Sequence, residues 1–128
     1  MPSSPAMREV ILRELERHDP DKPIVDLGSG WGGLAAATAR RFQDRRVTGY
    51  ELALLPLLCS KLRLRFPGAP RNLAFARRDL RRLDPEEGTI YLAYLSPRAM
   101  ETLRRRFEAA LPRETLLITA LFAVRSWR

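Results

Sequence analysis

The 128-residue sequence predicts one α/β domain, an open parallel sheet with helices on both faces, and three observations carry that prediction. Short apolar runs alternate with helix-forming stretches along the chain, the order expected of parallel strands joined by right-handed crossovers. One run, "TIYLAYLS", is almost wholly apolar, as suits a strand covered on both faces. A glycine-rich turn, "VDLGSGWGG" at 25–33, separates the first apolar run from a helix-forming stretch. In an open sheet, ligands bind at such turns, beyond the carboxyl ends of the strands.

Each element has its own signature. Ser4 followed by Pro5 is a cap and first-turn pair, and Val10, Ile11 and Leu15 then line one face of a helix ending near "HDPDKP". "PIVDL" is a short buried strand, and Gly33 to Phe42 a small-residue helix able to lie close to a sheet. "RVTGYEL" reads as the second strand. Leu55 to Phe66 follows as a helix, with Pro56 in the first turn, where a missing N–H costs little. Gly68 and Pro70 break the chain before "NLAFARRDL", the third strand, and "TIYLAYLS" is the fourth. Ser96-Pro97 repeats the cap-plus-proline device ahead of a helix with Met100, Leu103, Phe107 and Leu111 on one face. After Pro112, "TLLITALFAV" reads as a fifth strand.

Composition bounds the function. A single domain is expected, because 128 residues support one core but not two. Cys59 stands alone, which rules out an internal disulfide or a cysteine zinc site and makes it a small buried filler. His18 is also alone, at a helix end where a cation is favoured, and no metal is expected. Neither a secretory leader nor an apolar run of membrane-spanning length is visible, so the location expected is cytoplasmic. The 23 basic against 15 acidic residues give a net charge of +8. The arginines come as pairs and triplets without interleaved aromatics. They read as a solvated face before a nucleic-acid track, although nucleic acid stays open as a partner.

The glycine turn fits two patterns. Gly28, Gly30 and Gly33 spell the dinucleotide pattern G-x-G-x-x-G, while Asp26, Gly28, Gly30 and Gly32 spell D-x-G-x-G-x-G. The acids discriminate. Asp26, Glu51 and Asp79 fall at three successive strand ends, and a dinucleotide would bring its pyrophosphate against Asp26. S-adenosylmethionine (SAM) carries no phosphate and has a cationic sulfur and an ammonium, which an aspartate beside the turn would attract. Glu51 can accept both hydroxyls of a ribose, and Asp79 can accept from an adenine amino group.

On these residues the chain resembles the class I SAM-dependent methyltransferases from Pro23 to about Val124. "VDLGSGWGG" is similar to their first motif, "GYEL" to their ribose-binding acid and "RRDL" to their adenine-side motif. The resemblance implies a Rossmann-like sheet in the order 3-2-1-4-5, lacking the usual last two strands, and SAM as cofactor. It also implies that Gly28, Gly30 and Gly32 flank the methionine moiety, with Asp26 in support and Ser29 and Trp31 in the same turn. Glu51 with Leu52 would meet the ribose, and Asp79 with Leu80 the adenine. More narrowly, "GYELALLPLLCSKLRLRF" and "YLAYLSPRAM" resemble small bacterial methyltransferases. These in turn resemble the mitochondrial lysine methyltransferases of the ATP synthase c-subunit and the adenine nucleotide translocase. The implied activity is methylation of a protein lysine. The alternative is a non-catalytic nucleotide- or nucleic-acid-binding module that retains the fold.

Where nucleic-acid amino methyltransferases often carry Asn/Asp-Pro-Pro-aromatic, this chain has "YLSP", which disfavours a base as acceptor. The catalytic residue is unassigned, and Tyr94 and Ser96 are the candidates nearby. With "TLLITALFAV" taken as one strand, an open edge is expected along strand five. Either a shortened chain or a homo-oligomer paired through that edge would follow.

Overall fold

The computed structural model describes residues 4–110, 112–119 and 124–127. Its helices are α1 (Pro5–Glu16), α2 (Gly33–Arg41), α3 (Leu54–Arg63) and α4 (Pro97–Ala110). Its strands are β1 (Ile24–Leu27), β2 (Val47–Tyr50), β3 (Leu73–Ala76), β4 (Ile90–Ala93), β5 (Thr115–Thr119) and β6 (Val124–Trp127), with one 3-10 turn at Leu80–Arg82. Strands β1 to β5 are parallel, in the order β3-β2-β1-β4-β5, as expected. β1 lies at the centre, its Asp26 in register with Gly49 of β2 and Leu92 of β4.

Alternation along the strands sorts the core into two layers. Ile24, Val47, Phe75, Ile90, Leu92 and Ile118 face the layer of α1, α2 and α3. Val25, Leu27, Tyr91, Ala93 and Leu117 face the opposite layer, where α4 inserts Leu103 and Phe107. Tyr91 and Phe107 meet edge to face at 5.1 Å. Ala35 and Ala39, both fully buried, let α2 lie close to the sheet. Fully buried Leu15, Ile24 and Leu27 each contribute about 1.5–3 kcal/mol relative to exposure.

The caps form as the sequence predicts. Ser4 Oγ accepts the Met7 N–H at 3.2 Å with Pro5 opening α1, and Ser96 Oγ accepts the Ala99 N–H at 3.3 Å. His18 sits just past α1, 3.0 Å from Glu14. Arg41 bridges Glu9 and Glu16, and Arg104 bridges Glu101 and Glu108, so these arginines are paired with acids at the surface. Arg45 departs from this pattern. Only 6% exposed, it donates twice to the Lys22 carbonyl and lies over the Phe42 ring, and burial lowers its pKa.

The edge beyond β5 requires a correction. In place of the expected single strand from Thr115 to Val124, β5 is described over Thr115–Thr119, residues 120–123 lie outside those described, and β6 pairs antiparallel with β5, Ile118 opposite Val124. An unbroken apolar run gives no signal of antiparallel pairing between its two halves. The expected open edge of β5 is therefore paired within the chain. That removes the ground for self-association through strand five.

Candidate functional site

The carboxyl ends of β1, β2 and β3 converge on one rim of the sheet, and the glycine turn rises between them. Asp26 lies on the α2 side of β1 at 2% exposure. Its Oδ2 is buried without a hydrogen-bond partner among the described residues, as is the nearby Ser29 Oγ. Burial pushes the Asp26 carboxyl up to about 8, the charge of Glu51 adds to the shift, and a hydrogen bond from the Ala35 backbone opposes it. A buried carboxyl left this way costs stability unless a cation or donor meets it.

Two glycines show what the turn is for. Gly32 caps α2 with φ at 87°, and a Cβ there would lie 2.8 Å from Phe75 Cζ and 3.0 Å from Ser60 Oγ. Any side chain would be both strained and crowded. Gly30 also has positive φ, 55°, but a Cβ there would meet nothing within 4 Å, so this backbone borders open space.

Glu51, at the end of β2, organises the turn. Its Oε1 accepts the Gly30 N–H at 2.8 Å and its Oε2 the Ala53 N–H at 2.9 Å. Ser60 donates to the Gly30 carbonyl at 3.1 Å, and Arg63 to the Trp31 carbonyl at 2.9 Å. Trp31 itself is half exposed.

Two cavities flank this framework and share Gly28, Gly30, Glu51 and Tyr94. The first, about 320 Å³, is lined by Arg8, Asp26, Ser29, Trp31, Pro56 and Arg63 among others. The second, about 370 Å³, reaches Leu52, Asp79, Leu80 and Leu95. Every cofactor-side residue expected from the sequence except Gly32 lines one or both cavities, and Gly32 braces the turn from behind. Asp79 is less free than the expectation implies. It accepts the Arg81 N–H, pairs with the Arg81 guanidinium at 2.9 Å, and is held below the usual carboxylate range by it. Tyr94 stands between the cavities, whereas Ser96 is engaged as the cap of α4.

Sequence reasoning missed Arg8, Pro56 and Arg63. Arg8 comes from α1, outside the recognisable stretch, and its guanidinium occupies the space a Cβ on Gly33 would need. No local pattern marks these residues; only the packing of α1 and α3 beside the turn brings them in. Among the described residues no group of His, Cys, Asp and Glu is arranged to hold a metal.

An open sheet in this order, with a glycine turn and acids at three strand ends, is the architecture of the class I SAM-dependent methyltransferases. Residues 26–128 match the ANTKMT methyltransferase domain, and the chain belongs to that family. No curated protein matches it. Among solved structures it is similar to an RNA methyltransferase from Salinibacter ruber in complex with S-adenosyl-L-homocysteine (SAH). That pair has a TM-score of 0.74 and 22% identity, covering 93% of this chain and 76% of the other. It is also similar to a geranyl diphosphate methyltransferase in complex with GPP and sinefungin, with a TM-score of 0.68 and 20% identity, covering 89% and 44%. A third is a glycopeptide N-methyltransferase complexed with SAM, with a TM-score of 0.68 and 18% identity, covering 88% and 53%. The chain thus spans about half the length of the latter two. At these identities the likeness is one of fold.

Proposed function

We propose that the chain binds SAM across the two cavities and transfers its methyl group to the side-chain amine of a protein lysine. The observation that carries the reading is the buried Asp26 carboxyl, whose Oδ2 has no hydrogen-bond partner beside a glycine turn that borders open space. An ammonium-bearing ligand supplies the missing donor. Ser29 Oγ is a second polar atom without a partner there, and Arg8 on the same cavity suits a carboxylate, so an amino-acid end is the group these residues match. Glu51 retains acceptor capacity for ribose hydroxyls beyond its two amide contacts. Leu52, Leu80 and Leu95 offer an apolar slot for a purine, with Asp79 at its edge.

When bound, SAM supplies an activated methyl group. The chain's own part is alignment and exclusion of water, which together lower the barrier of a displacement substantially. A lysine acceptor has to lose a proton first, its free pKa being about 10.4. Tyr94, which borders both cavities, is the candidate we favour to accept a hydrogen bond from that amine; Ser96 lines the second cavity as well, with its hydroxyl already accepting the Ala99 N–H. The lysine itself rests on membership of the ANTKMT domain family and on the "YLSP" departure from the base-methylating signature.

Calorimetry with SAM, SAH and NAD in parallel tests the cofactor. Binding of the first two and not the third is expected, and NAD binding alone would sink the reading. Radiolabelled SAM incubated with cell extract, with and without the protein, then identifies the acceptor. Label entering RNA instead of protein would overturn the lysine assignment.

A further inference from the structure

The leucine-rich helix α3 turns most of its leucines outward. Leu54, Leu55, Leu58 and Leu62 are all more than half exposed, Leu55 at 65%, and Phe66 just beyond the helix is 60% exposed. Only Leu57 and Ser60 of α3 are buried, against Phe75 and the glycine turn. At about 100° per residue, the four exposed leucines fall within roughly 100° of the helix circumference, a continuous apolar stripe. Lys61 borders the stripe on one side and Arg63 on the other. Half-exposed Trp31 lies beside the last residue of α3, its carbonyl accepting from Arg63. A monomer surface rarely leaves so contiguous an apolar patch without a partner.

The surrounding charge selects the partner. From Leu52 to Arg78 the chain carries six basic residues (Lys61, Arg63, Arg65, Arg71, Arg77 and Arg78) and no acid. A protein groove would require apolar complementarity but not such one-sided charge. A nucleic acid would use the cations but leave the leucines in water. Apolar residues bordered by cations whose stems reach past them match a bilayer interface, with acyl chains below and anionic headgroups beside them. Among the described residues no helix is long and apolar enough to cross a membrane, and lying on the surface requires none.

We propose that the outward face of α3, with Phe66 just beyond its C-terminal end, is a docking surface for an anionic lipid bilayer. It rests on exposure and charge alone and does not depend on what the cavities bind. The test is flotation of the full chain with vesicles, either of phosphatidylcholine alone or of an equal mixture with phosphatidylglycerol. The chain is expected to float with the mixed vesicles and to remain largely free with phosphatidylcholine. Leu58→Glu with Leu62→Glu, at exposed positions that leave the core intact, should lower binding at least tenfold with an unchanged circular dichroism spectrum. Leu58→Ser with Leu62→Ser, a milder pair, should lower it less and guards against a folding defect. Absence of flotation overturns the proposal. So does binding that persists in both leucine variants and vanishes with salt, which would assign the segment to a polyanion such as RNA. Light scattering that shows a dimer abolished by Leu58→Glu would make a second copy the occupant and overturn it equally.

Discussion

Asp26 and Asp79 both belong to the carboxyl-end rim of one sheet, Asp26 within β1 and Asp79 on the turn beyond β3, and the fold treats them in opposite ways. Asp26 is sealed beneath α2 with an unsatisfied oxygen, and its affinity for a proton is raised. Asp79 sits on an open turn, saturated by Arg81, and its proton affinity is lowered. Burial with partners withheld leaves a group free to respond to a ligand; satisfaction by a neighbour makes a group structural. The same residue type on the same rim of the sheet does not imply the same readiness to bind.

The largest expected effect sharpens this contrast through pH. With its carboxyl at about 8, Asp26 is mostly protonated at neutral pH and must ionise to meet a cationic ligand. SAM affinity should therefore rise with pH up to about 8, by as much as tenfold per unit. Asp26→Asn should flatten the rise, and an identical slope in calorimetry of the variant would remove Asp26 from the site. The stability counterpart has the opposite sign. The folded chain holds a proton that the unfolded chain releases near pH 4, so this group's contribution falls as pH rises from about 4 to about 8. Urea melts across that range should show a decline that Asp26→Asn lacks.

Glu51→Ala comes next. It releases the Gly30 and Ala53 amides together with any ribose contact, and should weaken SAH binding by about 1.5–3 kcal/mol, more than tenfold. Unchanged affinity in a variant with a native circular dichroism spectrum would place the ribose elsewhere. Asp79→Leu should cost less, and Asp79→Asn about threefold at most, since a carboxylate already shared with Arg81 has little left to give. Should Asp79→Leu bind SAH as tightly as the parent, the carboxylate belongs to the 3-10 turn alone. Were Asp79→Leu to exceed Glu51→Ala, the contrast between the free and the saturated acid would be broken.

Much of the fold and the outline of the site were legible because they depend on local devices. Apolar runs, serine–proline caps and glycines at a strand–helix turn announce themselves without tertiary context. The paired strands are shorter than their apolar runs. "RVTGYEL" is a strand only over Val47–Tyr50, although the Glu51 N–H still donates to the Ala76 carbonyl at 3.1 Å. What was not legible depends on what meets what. Leucine counts could not say which side of α3 would be covered, nor could the run after Pro112 show that β6 turns back. Likewise Arg8 has no motif, and nothing in the sequence separates Arg45 from the other arginines, although its guanidinium is buried against the Lys22 carbonyl.

The two amide contacts of Glu51 have a kinetic consequence. Because the carboxylate already holds Gly30 and Ala53, the turn is fixed before any ligand arrives, and little conformational entropy remains to be lost on binding. The Gly30 amide should accordingly exchange its hydrogen slowly in the ligand-free protein, slower than the half-open surroundings suggest. Association should then follow a single concentration-dependent phase, without the slower step that ordering of a loose glycine loop would add.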